Sequence, residues 1–147
     1  MYTHILVPTD GSELSAKAVS GACELARHLG ARITFLYVQP DFPLPIAGEG
    51  TMLSAESRDD FAKGTEEQAR KILAAAVSEA TGAGVSAQTR TGTSDAPYEL
   101  IVSTATQEAC DLVFMASHGR KGLAGLLLGS ETHKVLTHCK TPVLVYR

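Results

Sequence analysis

Apolar runs and helical periods alternate along the chain. "HILVPTD" (4–10) is a short β-branched run that stops at Pro8, the pattern of a buried first strand. Beyond it Leu14, Ala18, Ala22, Leu25, Ala26 and Leu29 recur three or four apart, and Gly30 stands where a C-cap belongs. That spacing predicts a helix. "RITFLYVQP" (32–40) is a second continuous apolar strand. "DFPLPIAGEGTML" (41–53) carries two prolines and two glycines and suits neither a helix nor a central strand. It reads as a loop over one end of the sheet, with its first ten residues as a lid.

Helical periodicity returns over 54–80, with Phe61, Ile72, Leu73 and Val77 on the buried side and Gly64 as a weak point. A turn then leads to a more polar third strand near 85–90, the composition of an edge. The next helix has Ser94 or Asp95 as its cap and Pro97 in its first turn. "DLVFMAS" (111–117) is a fourth strand buried on both faces, "SETHKVLTHC" (130–139) a last helix and "TPVLVY" (141–146) a fifth strand. Strands alternating with helices predict a single α/β domain over 1–147, a doubly wound, Rossmann-like five-stranded parallel sheet with helices on both faces. Right-handed crossovers favour the order 3-2-1-4-5. In that order a crevice opens at the carboxyl ends of strands one and four, bordered by "VPTDGS" and "ASHGRKG".

Composition narrows the function classes. A net charge of -3 lacks the basic excess of a nucleic-acid binder. No apolar stretch approaches the roughly 20 residues of a membrane span, and "MYTHILVPTD" is not a secretory signal, so a cytoplasmic protein is expected. Cys23, Cys110 and Cys139 have no metal-ligand or disulfide spacing and read as small hydrophobes. His4, His28, His133 and His138 read as surface or helix-end residues.

The chemistry concentrates at the crevice. "MASHGRKGLAGLLLGSETHKVL" (115–136) sets four glycines and three serine or threonine hydroxyls between a strand and a helix. Gly119 allows a turn with positive φ and close approach by a ligand. Gly129 and Ser130 open the last helix, whose first N–H groups and dipole suit an anion; the plainer reading of the pair alone is a helix entry with Ser130 as N-cap. Leu126, Leu127 and Leu128 would pin the loop to the core. Glu131 puts a carboxylate in the same first turn, which Arg120 and Lys121 can offset. Asp10 can accept hydrogen bonds from a ribose, hold a hydrated Mg2+, or simply shape a strand-to-helix turn with Ser12 as cap. Val38 can offer backbone N–H and C=O to a base edge. His118 is the one residue placed as a base beside a phosphate, and a loop histidine is the plainer reading.

These stretches resemble the universal stress protein family over essentially the full length. "ILVPTDGSELS", "ITFLYV" and "ASHGRKGLAGLLLGSETHKVLTHCKTPVLVYR" carry the likeness. The family's ATP-binding pattern, G-x-x-G, nine residues, then G-[ST], here runs Ala116 to Gly119, 120–128, and Gly129-Ser130. Ala116 replaces the first glycine. The resemblance implies that Thr9 and Asp10 meet adenine and ribose, that the Val38 backbone reads adenine, and that Gly119, Gly129 and Ser130 bind phosphate. Pro8, Met115, Ala116, His118, Arg120, Glu131 and Thr132 complete the implied cofactor site, with Asp10 as the residue for a nucleotide-bound Mg2+. It also implies a homodimer through the last strand, Pro142 to Tyr146. The expected function is an ATP-binding stress-response regulator, switched by its ligand and acting on a protein partner not named by the sequence. The alternatives are a nucleotide-free dimeric interaction module, a cyclic AMP binder or a slow ATPase. There is no P-loop GxxxxGK[ST] and no residue evidently placed to orient water, so an enzyme is not the expectation.

Overall fold

Residues 1–43, 55–120 and 128–147 are described by a computed structural model. Five strands form one parallel sheet: β1 (His4–Pro8), β2 (Arg32–Gln39), β3 (Ala87–Thr93), β4 (Leu112–Ala116) and β5 (Val143–Tyr146). Their order is β3-β2-β1-β4-β5, as the alternation predicts. The connecting helices are α1 (Glu13–Leu29), α2 (Ala55–Gly82), α3 (Pro97–Gln107) and α4 (Ser130–His138). The strands sort their side chains by parity. Ile5, Val7, Ile33, Phe35, Phe114 and Ala116 face one layer, closed by small residues of α1 and α2. Leu6, Leu36, Val113 and Met115 face the other, closed by Ile101 and Ala105 of α3 and Val135 of α4. Ala18, Ala22 and Ala26 of α1 are fully buried, which lets that helix lie close to the sheet. Among the described residues no helix is long and apolar enough to cross a membrane.

Several local expectations are corrected. β3 begins two residues later than its polar composition suggests and runs on through Thr93, paired to the end of β2. α2 runs unbroken through the exposed Gly64, as the pattern over 54–80 expects. Neither Ser94 nor Asp95 caps α3. Ala96 occupies the cap position without a side-chain bond, and Glu131 supplies the acceptor instead, taking the Tyr98 N–H at 2.9 Å. Ser94 accepts from Ala96 N, and Asp95 from Asp41 N. His4 is no surface residue. It is 2% exposed and bonded through Nε2 to Thr34 Oγ1 at 2.7 Å. Cys23 and Cys110 are buried, and burial pushes each thiol up to about 11. The segment 44–54, most of the expected lid, lies outside the described residues, as do Lys121, Leu126 and Leu127.

Candidate functional site

β1 ends at Pro8 while β2 runs on to Gln39, and this difference in length opens the crevice. Thr9 N donates to Leu36 O at 2.9 Å as the last tie between the two strands. Backbone groups two residues apart on a strand point the same way. Val38 N–H and C=O therefore point past the end of β1, with no strand left to meet them. Gln39 O confirms the alternation by accepting from Ser94 N on the opposite side. The Val38 side chain is half-buried against the α3–α4 layer.

The β1–α1 turn is tied down by the first turn of α1. Thr9 Oγ1 and Ser15 Oγ lie 2.7 Å apart, buried, and Ser15 Oγ also accepts from Asp10 N at 3.2 Å. Ser12 caps the helix by accepting from Ser15 N. Gly11 takes φ +77, a conformation that a side chain disfavours. The half-buried Asp10 carboxylate bridges the two walls of the crevice: Oδ1 accepts from Ser12 N at 2.9 Å and Oδ2 from Arg120 N at 2.8 Å. A carboxylate has about four acceptor positions, so it retains capacity for a ribose hydroxyl or a cation.

β4 and α4 form the opposite wall. Met115 and Ala116 are buried in the last turn of strand, and their side chains enter opposite core layers. Ala116 does not have positive φ, so its methyl is accommodated as in any strand. Gly119 does not take positive φ either, which corrects the expectation. Its lack of a side chain matters instead because a Cβ there would collide with Asp10 Oδ2 and displace that carboxylate. Gly129 N donates to Ser117 O at 2.7 Å, and a Cβ on Gly129 would stand 3.0 Å from His118 Cα. Thr132 Oγ1 donates to Ala116 O at 3.0 Å. Those two bonds fix the start of α4 directly beyond β4, so its first-turn N–H groups meet the crevice beside the exposed Ser130.

The Glu131 carboxylate is turned away from this site. It accepts from Tyr98 N and pairs with Lys134 Nζ, each at 2.9 Å, so the charge serves the start of α3. Half-buried His118 has Nδ1 3.2 Å from Ser117 Oγ. Among the described residues no cluster of three or more His, Cys, Asp or Glu forms a metal site. Asp10 alone suits Mg2+ as one carboxylate ligand beside phosphate oxygens. A separate cavity of about 620 Å³ opens beyond β2 and β3, between Phe42, Arg58, Phe61 and Thr91, and shares no predicted site residue. Sequence reasoning missed Ser15, whose position in "TDGSELS" is its one signal.

The chain is similar to known proteins in both sequence and fold. Universal stress protein YxiE of Bacillus subtilis is 30% identical over 149 residues, spanning 100% of both chains. The solved structure of protein MJ0577, from Methanocaldococcus jannaschii, superposes with a TM-score of 0.80 at 29% identity, covering 99% of this chain and 96% of that one. A universal stress protein solved in complex with cAMP superposes with a TM-score of 0.72 at 27% identity, over 99% of this chain and 97% of that one. The model of the universal stress protein family matches residues 1–147, the whole length that builds the sheet and both walls of the crevice, and the chain belongs to that family.

Proposed function

We propose that this protein binds an adenine nucleotide, ATP with Mg2+, in the crevice and acts as a ligand-switched regulator rather than as an enzyme. The observation that carries the reading is the convergence of three unlike binding groups on one crevice. The open N–H and C=O of Val38 suit the edge of adenine, Asp10 suits a ribose or Mg2+, and the start of α4 at Gly129 and Ser130 suits phosphate. Pro8, Thr9, Met115, Ala116 and Thr132 act here by fixing the backbone. The relative solved with cAMP supports an adenine nucleotide in this family. ATP would stabilise whichever conformation binds it better and so alter the surface offered to a partner protein.

The same reading includes a homodimer formed through Pro142 to Tyr146. β5 is an outer strand, and Leu144 on it is 36% exposed. An apolar strand edge left open invites pairing with a second copy.

Thermal melting with Mg-ATP, with Mg-GTP as control, tests the nucleotide. At ~100 times its dissociation constant the ligand adds about 2.7 kcal/mol, a rise of roughly 5–10 °C for a domain of this size. No rise with ATP at millimolar concentration would refute the assignment. A rise with cAMP alone would move it to the cyclic nucleotide.

A further inference from the structure

Arg120 has its backbone in the wall of the crevice and its charge elsewhere. Arg120 N donates to Asp10 Oδ2 at 2.8 Å. Its guanidinium passes over the β1–α1 turn, with NH2 3.1 Å from where a Cβ on Gly11 would stand. It ends against Gln68 of α2. Arginine has donors and no acceptors, so the carboxamide must present its oxygen to it. In that orientation Gln68 accepts from NH1 at 2.6 Å and from NH2 at 2.8 Å. α2 is seated on the same turn, since Ile72 Cδ1 lies 2.7 Å from the Cβ position of Gly11. Gln68 is therefore the point at which α2 touches the cation of the phosphate wall.

The partnership is unequal. The guanidinium makes charge-assisted hydrogen bonds to the neutral amide oxygen, but it gains no opposite charge from it. Among the described residues no carboxylate side chain pairs with Arg120. A phosphate at the start of α4 would offer the anionic, forked acceptor for which a guanidinium is shaped.

We propose that Gln68 holds Arg120 in the nucleotide-free protein and surrenders it to the phosphates when nucleotide binds, uncoupling α2 from the β4–α4 wall. The inference rests on the nucleotide reading above and adds to it a route by which the ligand reaches the outer surface of the molecule. Gln68 is a positioning residue, and its influence on binding is a competition. Removing the competitor strengthens phosphate binding, whereas charging it weakens phosphate binding.

Titration calorimetry of Mg-ATP and of adenosine into the wild type, Gln68→Ala and Gln68→Glu tests this. Gln68 is exposed on a helix, and both replacements are good helix formers. Gln68→Ala is expected to bind ATP about two- to fivefold more tightly, and Gln68→Glu about tenfold more weakly. Adenosine, which lacks the anion, is expected to bind all three within about twofold, since the loss of one hydrogen bond remote from it has no path to the base. In the wild type the side-chain amide NMR signal of Gln68 should move with ATP and stay still with adenosine. Equal ATP affinities in the three proteins, or weaker ATP binding by Gln68→Ala, would overturn the latch and leave nucleotide binding standing. Failure of the wild type to bind either ligand would overturn both.

Discussion

The two ends of the sheet use similar residues to opposite effect. At the amino end Thr3, His4, Arg32, Thr34, Gln88, Arg90, Glu108 and Asp111 form one closed network. Asp111 accepts from Thr3 N, Thr3 Oγ1 and His4 N. Arg32 donates to His4 Nδ1 at 3.0 Å, and Thr34 Oγ1 accepts from Gln88 Nε2 at 2.9 Å. Gln88 and Arg90 share the Glu108 carboxylate. At the carboxyl end Asp10 has acceptor positions to spare, the Val38 backbone has lost its neighbour strand, and the first turn of α4 faces an opening. A network whose members pair with one another stabilises the chain it ties together, whereas backbone groups left facing an opening at a break in the strand order are available to a ligand. In this chain polar clusters stand at both ends of the sheet, and the Val38 backbone left without a neighbour strand distinguishes the site from the scaffold.

The largest expected effect separates the two ends on the side of the site. Asp10→Ala should abolish the ATP-dependent rise in melting temperature, a loss of about 2.7 kcal/mol of ligand stabilisation under the saturating condition above. The ligand-free protein should lose no more than about 1 kcal/mol, because Ser12 N and Arg120 N lie where water can replace the carboxylate. Melting curves with and without Mg-ATP check both halves. A variant that melts far below the wild type yet keeps its ATP shift would make Asp10 scaffold and dissolve the comparison.

Thr34→Val is the converse and the next in size. Valine keeps the shape of threonine and removes the oxygen on which His4 and Gln88 converge. With a buried donor left unpaired, the expected cost is about 1–3 kcal/mol, a fall of roughly 2–10 °C in melting temperature. The increment produced by ATP should persist unchanged. Denaturant titration with and without ATP measures it, and a lost increment would mean that the two ends are coupled through β2.

Much of this arrangement was legible in the chain, and what escaped has a common cause. β2 and β4 are continuous apolar runs because helices cover both their faces, so they read clearly. Gly30 takes φ +65 at the end of α1, as local pattern alone predicts, whereas Gly129 and not Ser130 stands at the N-cap of α4, without a side-chain bond. The cap of α3 was illegible because its acceptor, Glu131, lies 33 residues beyond Tyr98 in sequence. His4 was misplaced for the same reason. Its ring partners, Thr34 and Arg32, come from β2 and Asp111 binds its N–H, and nothing near it in sequence announces them. Gly119 was recognised as necessary for the wrong reason: the constraint is the Asp10 carboxylate, 109 positions away by number, and not its own φ. Gln68 sits on an exposed stretch of helix where glutamine is unremarkable. Short-range periodicity finds elements, whereas contacts between elements need the fold.

The smallest expected effect is a pH dependence that belongs to the amino end alone. Arg32 can only donate to His4 Nδ1, which leaves the imidazole proton on Nε2 to donate to Thr34. The folded ring is neutral. Burial, followed by the neighbouring Arg32 charge, holds its pKa below the usual histidine value, while the Glu108 and Asp111 carboxylates pull the other way without prevailing. Arg90 faces the same cluster and is paired with Glu108 at 2.6 Å. The unfolded chain takes up a proton at His4 near pH ~6.5, before the folded chain does. Stability is then full above that pH and declines as the pH falls below it toward the folded pKa. At Asp111 burial pushes the carboxyl up but is outweighed by the bonds from His4 and Thr3, and Glu108 is held low by its bond to Arg90, so both contributions fail only in a lower, carboxylate range. Chemical denaturation of wild type and His4→Gln between pH 7.5 and 5.5, roughly the window in which histidine titrates, isolates this term. The wild type should lose stability toward acid, and His4→Gln should lose less. Parallel curves would show that acid acts elsewhere, on the remaining histidines, and that the closed network is insensitive to protons over this range.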